Sequence, residues 1–131
     1  MLVVTGGGGF IGSVLCAALN EAGRADLVIV DRFGSGDKWR NIAKRDFFEI
    51  VPVEGLLSWL DRFGEGVEAV FHLGANSATT ETDADLMIAN NLNYSVALWR
   101  WPWPSPDSQS SWLAAASRNS NRLPKRRPMA R

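Results

Sequence analysis

At 131 residues, 46% hydrophobic and 21% charged with a formal net charge of zero, the chain has the make-up of one ordinary globular domain and no general attraction to nucleic acid or membrane. At this length one domain is the ceiling. The zero net charge hides a division, because residues 1–100 carry 8 Lys/Arg against 13 Asp/Glu whereas residues 101–131 carry 6 against 1. A single cysteine, Cys16, excludes an internal disulfide and, at helical spacing beside Leu15 and Leu19, reads as a small buried apolar residue. No apolar run approaches the roughly 20 residues a membrane span needs, and no basic leader precedes the first apolar run, so a cytoplasmic location is expected.

Leu2-Val3-Val4 opens the chain as a short strand running into a glycine cluster. Over residues 13–22, Val14, Leu15, Ala18 and Leu19 form the stripe of a helix, and Gly23 stands where a helix stops. Leu27-Val28-Ile29-Val30 is continuously apolar, the mark of a strand covered on both faces in a parallel sheet. Strand, helix, strand makes a βαβ unit. After a polar stretch, 32–45, residues 47–53 read as a third strand closed off by Pro52. A helix over about 54–63 puts Leu56, Leu57, Leu60 and Phe63 on one face, and the glycines at 64 and 66 end it. Residues 69–73 read as a fourth buried strand, with His72 as a structural member, and a last helix is expected over about 83–99. Thr79 and Thr80 ahead of it fit either a helix N-cap pair or a substrate contact. The alternation predicts an α/β fold, a Rossmann-type parallel sheet of order 3-2-1-4 with helices on both faces.

At Trp101 the character changes. Pro102, Pro104 and Pro106 alternate with Trp103 and Ser105, and four of the six tryptophans fall between Trp99 and Trp112. Ser/Asn-rich residues and the basic run Lys125-Arg126-Arg127 follow. No strand pattern is visible there, so the sequence divides into a Rossmann-type half-domain over 1–100, incomplete as a sheet, and a low-complexity, disordered tail over 101–131.

The strongest motif is Thr5-Gly6-Gly7-Gly8-Gly9-Phe10-Ile11-Gly12, in which Gly6, Gly9 and Gly12 give G-x-x-G-x-x-G and Gly7, Gly9 and Gly12 give G-x-G-x-x-G. A strand-to-helix turn that lets a pyrophosphate approach its backbone needs residues without Cβ, and the helix start supplies N–H groups and a positive dipole end. A strand precedes the motif and a helix follows. Asp31 ends the second strand, where a carboxylate binds a ribose 2′-OH. Just beyond it, Arg32 and Lys38 can accept a 2′-phosphate or be ordinary surface cations, which leaves NAD and NADP both open.

With these residues, and with Phe71-His72-Leu73-Gly74-Ala75, Ser77-Ala78-Thr79-Thr80-Glu81 and Asn90-Asn91, the chain resembles the extended short-chain dehydrogenase/reductase superfamily, and within it the ADP-L-glycero-D-manno-heptose 6-epimerases. The resemblance covers residues 1 to about 100. It implies Phe10 and Ile11 at the pyrophosphate, Asp31 and Arg32 at the adenosine ribose with Lys38 nearby, Leu73, Gly74, Ala75, Asn76 and Ser77 along the cofactor after the fourth strand, and Asn90 near the nicotinamide. Gly8, where alanine is common, and Leu73, where an acidic residue can occur, depart from the pattern and bear on affinity rather than on cofactor class.

The family's reaction is similar to a dehydrogenase run forward and back on a sugar nucleotide of the ADP-heptose type, a step of lipopolysaccharide core synthesis, with hydride passing to NADP and returning to the other face. It uses a tyrosine whose phenolate is favoured by a lysine four residues on. Here the one tyrosine, Tyr94, has Leu98 at that position, so the resemblance implies a cofactor-binding chain without the catalytic pair. Two other readings compete: a non-catalytic dinucleotide sensor, and a weaker one in which the basic tail and Trp101, Trp103 and Trp112 contact nucleic acid. The halt of the resemblance, the charge reversal and the loss of β-branched residues coincide near residue 101. Together they predict that the tail is a shifted reading frame or a truncated gene rather than family sequence.

Overall fold

The computed structural model describes residues 1–76 and 80–102, together with the backbone of 112–114. Leu2–Thr5 (β1) and Leu27–Val30 (β2) are buried at every position, as continuous apolar runs demand when both faces are covered. They pair in parallel, Leu2 opposite Leu27 through Thr5 opposite Val30. Glu49–Val51 (β3) adds to the free edge of β2, and Ala69–His72 (β4) to the other edge of β1. A fifth strand, Trp112–Ala114 (β5), lies parallel to β4, giving the order β3-β2-β1-β4-β5. The four expected strands hold their order, and β5 comes from a stretch whose sequence shows no strand pattern. The rest of the tail, with the disorder expected of it, lies outside the described residues.

Alternation along the strands splits the core in two. Val3, Val28, Val30 and Val70 point to one face, where Leu56, Trp59 and Leu60 of the helix Leu56–Phe63 and Leu98 of a later helix cover them. Leu2, Val4, Leu27 and Ile29 point to the other, where Cys16 on the helix Phe10–Glu21 (α1) and Ile42 meet them. Each fully buried Leu or Ile contributes about 1.5–3 kcal/mol by leaving water. Burial pushes the Cys16 thiol up to about 11, which fits its part as a small core residue.

Leu56–Phe63 (α2) starts later than the apolar stripe suggests, because a 3₁₀ turn, Val53–Gly55, carries the chain round from Pro52. The last helical stretch is also not one α-helix. It runs as Ala84–Met87 (α3), a wider π segment Ile88–Asn93, and Tyr94–Arg100 (α4). Its cap is Asp83, whose carboxylate accepts from Leu86 N at 3.0 Å, rather than the threonine pair. Trp101, assigned by composition to the tail, packs on the first core: its indole donates to Asp61 Oδ1 at 2.8 Å and its ring covers Gly64, where a Cβ would collide with it. Among the described residues, no helix is long and apolar enough to cross a membrane.

Candidate functional site

β1, β2 and β4 end in register, so Thr5, Val30 and His72 stand level at one edge of the sheet. There the chain leaves β1 toward one face, into α1, and leaves β4 toward the other, into α3 and α4. Such a switch point opens a crevice beyond the carboxyl ends of the strands. The crevice here has a volume of about 600 Å³.

One wall is the glycine loop. Gly6 sits at φ 70°, and a Cβ on it would lie 2.8 Å from Gly74 N; a Cβ on Gly12 would run into the Gly6 carbonyl. Gly9 N donates to Gly6 O at 2.9 Å and Ser13 N to Gly9 O at 2.9 Å, which folds the loop tightly into α1. No side chain caps α1 and no acidic residue occupies its first turn, so the positive end of the helix faces the crevice uncompensated. Phe10, 84% exposed, and Ile11, 67% exposed, stand at the rim.

A second wall is built on Asp31, only 8% exposed. Its Oδ2 accepts from Gly8 N at 2.8 Å, and its Oδ1 accepts from Arg32 N at 2.7 Å and from Lys38 Nζ at 2.5 Å. Lys38 arrives on a 3₁₀ turn, Asp37–Asn41, in the stretch that carries no apolar pattern, and Asn41 Nδ2 ties that turn to Gly8 O at 2.9 Å. The two expected cations part company here. Lys38 covers Asp31, whereas Arg32 donates through Nε to Glu54 Oε1 at 2.6 Å; the backbone amide of Glu54 and then Arg32 hold that carboxyl below its ordinary range.

The third wall is the lip over residues 73–76. Leu73 N and Gly74 N both donate to Thr5 Oγ1, at 3.1 and 3.0 Å, and Asn91 grips Asn76 twice, accepting from its N–H at 2.7 Å and donating to its carbonyl at 2.9 Å. Asn90 and Tyr94 close the far side. Of the residues singled out in the sequence, Gly6, Gly9, Phe10, Ile11, Gly12, Asp31, Arg32, Lys38, Leu73, Gly74, Ala75, Asn76 and Asn90 line this one crevice, and Ser77 lies outside the described residues. Thr5, Val53 and Tyr94 line it too, though none is expected there as a cofactor contact. A signal existed for each: Thr5 ends β1, Val53 lies just past the end of β3, and Tyr94 lies four residues beyond Asn90.

Tyr94 donates to Val53 O at 3.2 Å, and burial, with the Glu54 carboxylate adding to it, pushes its pKa far above the ordinary phenol value. A tyrosine base needs the opposite shift, and Leu98 on the next turn offers no cation. Among the described residues, no three His, Cys, Asp or Glu side chains converge on a metal position.

Comparison with known proteins gives consistent matches. Residues 2–102 match the model of the NAD dependent epimerase/dehydratase family. The chain is 46% identical over 101 residues to the ADP-L-glycero-D-manno-heptose-6-epimerase of Fusobacterium nucleatum subsp. nucleatum, covering 76% of this chain and 30% of that protein. It is 45% identical over 103 residues to the enzyme of the same name from Nitratidesulfovibrio vulgaris, covering 72% and 30%. Among solved structures it is similar to UDP-glucuronic acid 4-epimerase from Bacillus cereus in complex with NAD, with a TM-score of 0.58, 28% identity, and coverage of 75% of this chain and 34% of that one. The UDP-glucose 4-epimerase of Thermus thermophilus, also in complex with NAD, gives 0.58 at 28% identity, covering 75% and 32%. The chain thus spans about a third of the length of the relatives it matches.

Proposed function

This chain belongs to the NAD dependent epimerase/dehydratase family, and from that premise we propose that the crevice between β1 and β4 binds NAD or NADP as the dinucleotide-binding half of a nucleotide-sugar epimerase of the ADP-heptose type. The observation that carries the reading is the meeting, in one crevice of about 600 Å³, of an uncapped helix start behind close-packed glycines and a buried carboxylate at the end of β2. The amides of the first turn of α1, with Phe10 and Ile11, take the pyrophosphate, and Asp31 takes the adenosine ribose hydroxyls. Lys38 and Arg32 flank a 2′-phosphate when NADP is the ligand. Residues 73–77 and Asn90 orient the nicotinamide, which when bound supplies the hydride acceptor. The binding unit is residues 1–100. Without a Tyr-x-x-x-Lys pair, this chain holds the cofactor and does not by itself move the proton that epimerisation needs.

Isothermal titration of NAD and NADP into the full 131-residue chain tests the reading, with saturable heat expected for at least one of them. Asp31→Ala is expected to weaken NAD about 10- to 100-fold, the loss of hydrogen bonds to a charged acceptor. It should weaken NADP less, because Lys38 is then free to meet the 2′-phosphate. No heat at millimolar concentrations of either ligand overturns the proposal.

A further inference from the structure

Behind the lip, a buried polar line has a direction fixed by its own hydrogen bonds. A threonine hydroxyl has one proton and two acceptor positions. Thr5 Oγ1 receives Gly74 N at 3.0 Å and shares the Leu73 N–H, at 3.1 Å, with the Thr5 carbonyl, also at 3.1 Å; with amide donors on its acceptor side, its proton goes to His72 Nδ1, 2.6 Å away. His72 Nδ1 is therefore an acceptor, and the ring proton sits on Nε2, which donates to Ser95 Oγ at 2.8 Å. The Ser95 hydroxyl passes its own proton to Asn91 O at 2.6 Å, and the Asn91 amide closes on both the N–H and the carbonyl of Asn76. Asn91 lies in the π segment Ile88–Asn93, a widening of the helical ladder that often marks a functional position. One end of the line holds residues 73 and 74, and the other holds residue 76.

We propose that His72 is a positioning residue: through Thr5 on one side and through Ser95 and Asn91 on the other, it holds the lip over residues 73–76 in the form that receives the dinucleotide. The proposal rests on the reading of the crevice as a dinucleotide site. The role suits a neutral imidazole, which accepts at one nitrogen and donates at the other. An imidazolium would present a second proton to a Thr5 hydroxyl whose acceptor side already holds amide donors. Among the described residues, the ring meets Thr5 from β1 and Ser95 and Tyr94 from α4, the last at 5.8 Å between ring centroids. Tyr94 is the titratable one of these and stays protonated, since burial and Glu54 push its pKa up. Burial of His72 itself favours its neutral form.

The test uses the full chain with His72→Leu, His72→Gln, Ser95→Ala and Asn91→Ala, and reads both the amide exchange of residues 73, 74 and 76 without ligand and the affinity for NAD and NADP. His72→Leu is expected to speed exchange at residues 74 and 76, with residue 73 keeping its bond to the Thr5 carbonyl, while Val28 and Ile29 keep their protection, and to weaken the dinucleotide about tenfold. His72→Gln keeps a donor toward Ser95 and is expected to recover protection at residue 76. Dinucleotide affinity of the unaltered chain is expected to hold through the ordinary imidazole value of about 6.5, because burial keeps His72 neutral there, to fall only at more acidic pH, and to show no such fall in His72→Gln. Unchanged exchange at residues 74 and 76 in folded His72→Leu overturns the proposal. If that variant does not fold, Ser95→Ala and Asn91→Ala decide: faster exchange at residue 76 supports the relay, and unchanged exchange there overturns it. An unaltered chain that binds neither dinucleotide removes the reading of the crevice, while the exchange measurements still decide the role of His72.

Discussion

Gly12 and Gly8 stand four residues apart in one loop and differ in what crowds them. A Cβ on Gly12 meets backbone, the carbonyl of Gly6 and the Cα of Gly7, which cannot move without opening the turn. A Cβ on Gly8 would lie 2.5 Å from Phe33 Cε1 and 3.0 Å from Asp31 Oδ2, and a phenyl ring can swing aside. Gly12→Ala is therefore expected to cost more than Gly8→Ala, with both in the range of about 1–3 kcal/mol for overpacking. Phe33→Leu added to Gly8→Ala should recover part of the loss. Urea denaturation of the three variants checks the ranking, and an equal cost at both glycines contradicts it. That Gly8 belongs to the glycine loop can be read from the chain, but its partner Phe33 lies 25 residues away and no local pattern joins them. Asp31 was legible because it ends a strand at the spacing the motif demands. The grip of Asn91 on Asn76 was not, because it crosses from one element to another.

At the scale of elements, legibility followed apolar continuity. Leu27–Val30 is apolar throughout and was found with its bounds intact. The third strand is shorter than 47–53, running Glu49–Val51: Phe48 still donates its N–H to Leu27 O at 2.8 Å, and Pro52, with no N–H, ends the ladder on the other side. Asp37–Asn41 was missed because a polar turn held by Asn41 and Lys38 leaves no periodicity to detect. The π segment Ile88–Asn93 leaves no mark in the sequence, because no residue type there signals the extra residue per turn. Trp101 was assigned to the tail on composition, yet it seals the end of α2 by covering Gly64 and donating to Asp61. Trp101→Ala is expected to destabilise by about 1–3 kcal/mol. Thermal unfolding should show it as a drop of roughly 4–8 °C for each kcal/mol in a domain of this size. A melting temperature unchanged by the substitution would put Trp101 outside the cooperative unit.

For the molecule as a whole, the crevice proposed for the dinucleotide lies beside the one tyrosine, whose environment holds its proton in place. On the proposed reading, purified chain supplied with NADP and an ADP-heptose is expected to show epimerisation no faster than the uncatalysed background, since lack of an acid/base removes a factor of about 10²–10⁴. Following the C6 epimers by NMR measures this directly, and turnover at an ordinary enzymatic rate would contradict it.

The central place of β1 sets a timetable for biosynthesis. Leu2 finds Leu27 almost at once, but its other neighbour, Ala69, belongs to a strand made much later. At about 5–20 residues per second, the ribosome leaves that edge of β1 open for several seconds after β2 has paired. During that interval Leu2, Val3 and Val4 form an apolar strand with an unpaired ladder, the form that most readily captures a second nascent copy or a chaperone. Yield of native protein should then depend on how quickly residues 69–72 emerge, so that slow codons just before Ala69 lengthen the exposure and fast ones shorten it.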